Sequence, residues 1–394
     1  MPISDLDHWS LPTTAPLDFA LPAPRNWHAD RALSQAAGSL LKSRPDYSRL
    51  DAALTRLDTV SPALANGYYN HAPMVMEALC AMGQGEQALG WLEQEIPGFT
   101  PSGPAPGRLD PDDWRSQIGT QDHDAEWRAY FRAELEDKPW REVLSLWVHR
   151  LVDGFSTSAC HAVLQTAHMS RALQSEVSSV RLNALANALA AWADRYTPLP
   201  VGTHANQGVL DFRATLSWIT PLPDAHAPGE GAITAGYARL AHAADFAEVT
   251  SLVDLSGDLA MRFDALMLEM TRLFLHHART PFTVIVFTHA VTATAAARTL
   301  SEQVPDALGR RLLFRAFEHG AALLAAFSPL ALQSPEPIRA LPPSHPAHRA
   351  ARHGDDHIIK LTEALCSAYQ RSANPAYLDA IAQAFAVLPA SDRD

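Results

Sequence analysis

Residues 281–300 read PFTVIVFTHAVTATAAARTL. The opening TVIVF is rich in β-branched and aromatic residues and suits a buried strand or a buried helix equally. The continuation is rich in alanine, the strongest helix former, and predicts helix over the whole run. Its most apolar part, Thr283 to Ala297, is too short to cross a bilayer and carries His289 at its middle. A buried helix with an imidazole inside it is therefore the starting point.

The same 3.6-residue pattern extends outward in both directions. Leu50, Ala53, Leu54 and Leu57 share a helical face, and Met74 to Leu92 is helical with a break near Gly83 and Gly85. Pro139 separates helices at Trp127–Glu136 and Trp140–Leu151. Further helices are expected over Thr157–Leu173, Val177–Tyr196, Ile233–Ala247, Leu259–His277 and Asp306–Ala326, then from Asp355 to about Arg371 and onward from Pro375. Pro- and Gly-rich stretches at 98–112, 197–231 and 328–346 predict long loops. Residues 1–30 predict an irregular Pro-rich arm, and residues 31–394 one large, mainly helical (all-α) domain. Neither a repeat period nor a strand–glycine-loop–helix unit is present. GQGEQALG at 83–90 lacks the dinucleotide-binding spacing, and GEGA at 229–232 falls in a loop.

Bulk properties narrow the function. The chain has 394 residues, 47% of them hydrophobic, and a formal net charge of -12. That composition supports a packed core and argues against nucleic acid as a partner, because phosphate binding needs clustered Lys and Arg. The start, MPISDLDHWS, has neither a basic nor an apolar leader segment. Cys80, Cys160 and Cys366 are odd in number, far apart and set among apolar residues, so buried free thiols are expected. These features predict a cytoplasmic protein with no membrane partner. They do not indicate the oligomeric state.

Eighteen histidines include four in apolar helical settings: His71, His161, His289 and His357. One such residue is ordinarily a satisfied core histidine. Four together raise the prospect of a metal site, which helix bundles build from inward side chains on separate helices. His161 and His168 stand seven residues apart, about 10 Å along a helix, so one ion can scarcely hold both. His357 and Lys360 stand at i and i+3 and share a face. Asp355 and Asp356 are read as capping that helix. Of 31 basic residues only Lys42, Lys138 and Lys360 are lysine. An exposed first-turn position is one reading of Lys360. The other is a buried amine, freed by a depressed pKa, that adds carbon dioxide to give a metal-binding carbamate.

Five stretches, taken in order, resemble the blocks of the questin-oxidase-like family: YYNHAPM (68–74), HAVLQTAH (161–168), WADRYTPL (192–199), FTHAVT (287–292) and DDHIIKLTEA (355–364). Each is unspecific alone; the ordered set spans about residues 45–370. The resemblance implies an oxidoreductase that uses O2 on a small organic substrate, such as a polyketide, another aromatic or another natural product, with oxygen insertion or C–C cleavage. It implies iron(II) held by His71, His161, His289 and His357 with a carboxylated Lys360. His319, in FEHGAALL, is the substitute for His357. Tyr69, His168 and His319 are candidate pocket residues, and no catalytic residue is assigned. His168 and the short, Pro-rich connections depart from the fungal members, which leaves an anthraquinone substrate unsupported. Two other readings stand beside this one: an NADPH-dependent, metal-free Baeyer–Villiger monooxygenase, and a helical binding or scaffold protein without catalysis.

Overall fold

The computed structural model describes residues 35, 37–39, 44–64, 67–202, 204–223, 225, 233–243, 245–328, 338 and 340–390. The arm expected at 1–30 and Lys42 lie outside them.

Among the described residues the α-helices in chain order are α1 (Leu50–Leu57), α2 (Ala72–Ala81), α3 (Gly85–Glu95), α4 (Trp114–Gln117), α5 (Asp124–Asp137), α6 (Trp140–Leu151), α7 (His161–Ser175), α8 (Ser179–Asp194), α9 (Phe212–Ser217), α10 (Ile233–Ala238), α11 (Phe246–Ser251), α12 (Leu259–His277), α13 (Pro281–Ser301), α14 (Asp306–Phe327), α15 (Pro346–His353), α16 (Asp356–Ser372) and α17 (Pro375–Val387). No β-strand occurs among these residues, only isolated bridges such as Leu210 with Val253. The fold is mainly α. No helix among the described residues is long and apolar enough to cross a membrane.

The stretch at 281–300 is helix α13. Thr280 caps it, its hydroxyl accepting from the Thr283 backbone N–H, and Thr283 reaches back to the Thr280 N–H. Such reciprocal capping satisfies amide donors that the first turn leaves open. The helix is buried along nearly its full length, which explains why its sequence lacks a polar face.

Four helices form the frame that matters for function. α2 packs on α7, α7 on α13, α13 on α16, and α16 back on α2. The circuit closes, so each helix presents one face to a common interior. The other long helices support this ring from outside: α14 and α12 pack on α13, α8 on α7, and α17 on α16.

Three expectations are corrected. The helix expected from Thr157 begins at His161; Ser158, Ala159 and Cys160 instead form a left-handed run with φ of 50°, 56° and 63°. The helix expected over Ile233–Ala247 is broken into α10, a short 3-10 turn (Arg239–His242) and α11. The loop expected at 197–231 contains α9. All three cysteines are free and buried.

Candidate metal centre

The ring of α2, α7, α13 and α16 brings three imidazoles, those of His71, His161 and His357, together, with His289 against His161. His71 is the residue immediately before α2, His161 opens α7, His289 lies midway along α13, and His357 lies in the first turn of α16. One nitrogen each of His71, His161 and His357 lies within 4.8 Å of the others. His289 Nε2 is 3.1 Å from His161 Nε2. The rings pack closely, with centroids 4.3 Å apart for His71 and His161 and 4.8 Å for His161 and His289.

The hydrogen bonds fix which nitrogen faces the interior. His161 Nδ1 donates to the Ser158 carbonyl at 2.5 Å, and His289 Nδ1 donates to the Ile285 carbonyl at 2.7 Å. A carbonyl only accepts, so each Nδ1 carries the hydrogen and each neutral ring keeps its lone pair on Nε2. His71 and His357 turn Nδ1 to opposite oxygens of one carboxylate, Asp356, the His357 contact being 2.6 Å. All four rings are thus oriented from behind by oxygen acceptors, as outer-shell partners orient metal-binding histidines.

Asp356 corrects the sequence reading. Asp355 is the cap, accepting from the backbone N–H groups of His357 and Ile358 at 2.9 Å each. Asp356 bridges two imidazoles instead. Burial alone would raise its pKa, but His357 and His71 outweigh burial and hold the carboxyl well below its usual range. The left-handed Gly354 (φ 80°), whose carbonyl accepts from Trp91 Nε1 at 2.7 Å, ends α15 and turns the chain into this pair of acids.

Burial sets the protonation of His71, His161 and His289. It lowers the pKa of His71 to about 4, opposed by Asp356. Burial first, then the neighbouring imidazoles and Lys360, hold His161 and His289 well below the ordinary histidine value. At neutral pH His161 and His289 therefore aim two unprotonated lone pairs at each other across 3.1 Å. Alone, that contact is repulsive. A cation between them converts it into attraction, and two neighbouring ligands at metal–nitrogen bonds of about 2.0–2.2 Å stand roughly 3 Å apart. Imidazole donors suit iron, zinc, copper and nickel.

Lys360 follows His357 by one turn and is 2% exposed. Its Nζ is buried without a hydrogen-bond partner. Burial lowers its pKa, opposed by Asp356 and Asp355. An orphaned ammonium beside four imidazoles is a costly arrangement; a neutral amine, or an anionic derivative able to meet a cation, is not. The donor set, the facing lone pairs and the orphaned amine all fit a bound metal.

The remaining candidates stand outside the cluster. Tyr69 stacks over His161, centroids 5.4 Å apart, and its hydroxyl donates to Gln165 at 2.5 Å. His319, the substitute ligand, has Nδ1 2.9 Å from the Ser156 hydroxyl and Tyr237 against its ring, so it belongs to a separate polar group. Burial lowers its pKa to about 3. His168 bonds Glu77 through Nδ1 at 2.6 Å. Glu77 is fully buried; burial would raise its pKa, but Arg171 and His168 pull it to about 2. Sequence reasoning misses Glu77. Its signal is a single carboxylate inside the apolar run APMVMEALCA.

No protein-family model and no curated protein matches this chain.

Proposed function

We propose that His71, His161, His289 and His357 hold iron(II), with Lys360 as its carbamate supplying the one anionic donor, and that the chain is a questin-oxidase-like oxidoreductase acting with O2 on a small organic substrate. The supporting observation is the pair of neutral imidazoles whose bare Nε2 atoms face each other at 3.1 Å. An arrangement so unfavourable without a cation is difficult to account for as core packing. Bound there, iron would supply the activation of dioxygen.

The protein's own part is orientation and exclusion. The Ser158 and Ile285 carbonyls and the Asp356 carboxylate hold each Nδ1 hydrogen and keep each Nε2 lone pair turned inward. Burial keeps the His71, His161 and His289 rings unprotonated at neutral pH, and a buried setting strengthens charge interactions inside. Four imidazoles and one carbamate leave room for little else, so the organic substrate would lie beside the centre and not on it. An electron-rich phenol or enol suits that arrangement.

The test is metal analysis of protein purified without chelator, together with turnover measured with and without NADPH. The proposal expects about one iron per chain, NADPH-independent oxygen consumption, and loss of both iron and turnover in Lys360→Ala. Metal-free protein whose stability ignores EDTA would leave a helical binding or scaffold protein.

A further inference from the structure

Away from the four imidazoles, a cavity of about 30 Å³ is walled by residues of α1, α5, α7, α8 and the segment that leads into α2. That is room for roughly two water-sized molecules. Its polar lining is Arg128, Gln165, Asn70, Asn187 and Ser61. Arg128 is the one charged residue among them, and no acidic side chain lines the space. Arg128 and Gln165 are buried, at 6% and 4% exposure, whereas Ser61 and Asn187 are half-buried, so the former pair forms the deep end.

Arg128 is short of acceptors. Its Nη2 meets Asp124, one turn earlier on α5, at 3.0 Å, and its Nε is buried with no hydrogen-bond partner. A guanidinium carries five N–H donors and stays charged, so burial with one partner leaves it unsatisfied.

The amides around it are turned the same way. Asn70 Oδ1 accepts from the Ala72 N–H at 3.0 Å, Gln165 Oε1 from the Tyr69 hydroxyl at 2.5 Å, and Asn187 Oδ1 from Arg132 at 3.4 Å. Each amide oxygen is engaged, which leaves the NH2 ends for the cavity. Asn70 and Asn187 spend one contact of 3.4 Å each, on the Ser61 carbonyl and on Asp58. An NH2 group has two hydrogens, so both keep one in hand. The lining is rich in donors and poor in acceptors.

We propose that this cavity binds one small carboxylate, of formate or acetate size, with the Arg128 guanidinium and the Gln165 amide donating to it. Water or a neutral amide fits the space but brings hydrogens to a wall with little to accept them. A carboxylate brings acceptors alone, and its hydrogen bonds to a guanidinium are of the strong, charge-assisted kind. The volume excludes an aromatic ring. None of the lining residues is a proposed metal ligand, so the site stands whether or not iron is bound.

The experiment titrates the full-length protein, as purified, with sodium formate and sodium acetate by calorimetry at fixed ionic strength, with sodium chloride and formamide as comparisons. One formate per chain is expected. Arg128→Gln should weaken it about tenfold or more, the usual loss for a hydrogen bond to a charged group. Ala184→Leu keeps Arg128 and fills the cavity from α8, and should abolish binding while the circular dichroism spectrum stays that of wild type. Crystals soaked in formate should show it against Arg128 and Gln165. Formamide or chloride binding as tightly as formate, undiminished formate binding in Ala184→Leu, or water alone in the soaked crystals would each overturn the proposal.

Discussion

Adjacent residues of one type do different work here. Asp355 and Asp356 look interchangeable at the start of α16, and helix-capping rules account for both. Only the fold reveals that Asp356 meets His71, 285 positions away in the chain. Asp356→Asn keeps the shape but offers one acceptor and one donor to two imidazole N–H groups. It should weaken metal binding by about 10–100-fold, the usual cost of losing an outer-shell partner. Asp355→Ala should cost about 1 kcal/mol of stability through the lost cap and leave metal affinity unchanged. Chelator competition and denaturant titration of the two variants separate these effects. Equal losses of affinity would contradict the division of labour. The histidine positions are legible because an imidazole in an apolar run needs a reason. Glu77 carries a similar signal, but a lone carboxylate in a run names no partner.

At the scale of elements, helix existence is legible and helix starts are not. TVIVF is ambiguous by itself, and the alanines after it resolve α13. The start of α7 falls four residues later than its pattern predicts because Ser158, Ala159 and Cys160 adopt a left-handed path that sequence assigns to glycine or asparagine. The path has a use: it sets the Ser158 carbonyl against His161 Nδ1. Left-handed non-glycine residues cost about 1–2 kcal/mol each, strain of the kind that clusters at functional sites. Ala159→Gly should therefore stabilise the fold by roughly 1 kcal/mol, and Ala159→Val should destabilise it by at least as much. Denaturant midpoints measure both. No change in either would mean the turn is unstrained.

At the scale of the whole molecule, the sequence discloses a helical protein and five candidate side chains but not the order in which helices pack. The closed circuit of α2, α7, α13 and α16 supplies that order and gives each helix one imidazole to contribute. The Arg171–Glu77–Glu363 network is equally hidden, since its members are spread over three of those helices.

Burying so many neutral imidazoles also sets how stability responds to acid. His319, outside the cluster, has its pKa lowered by burial to about 3, against 6.5 for a free histidine. Between those values the unfolded chain binds a proton that the folded chain refuses. Stability therefore falls as pH drops below 6.5 and levels off near 3, at roughly 1.4 kcal/mol per pH unit for one group. In chelator-treated protein, His319→Gln should flatten the slope between pH 6 and 4 by about that amount. Parallel wild-type and variant slopes would show that His319 takes up its proton while folded.

The central claim is that the four Nε2 atoms converge on a metal ion. Anomalous diffraction at the iron edge, from crystals grown without chelator, addresses it directly. The account predicts one strong peak at about 2.0–2.2 Å from Nε2 of His71, His161, His289 and His357. No peak there, in protein with the same fold, would contradict it.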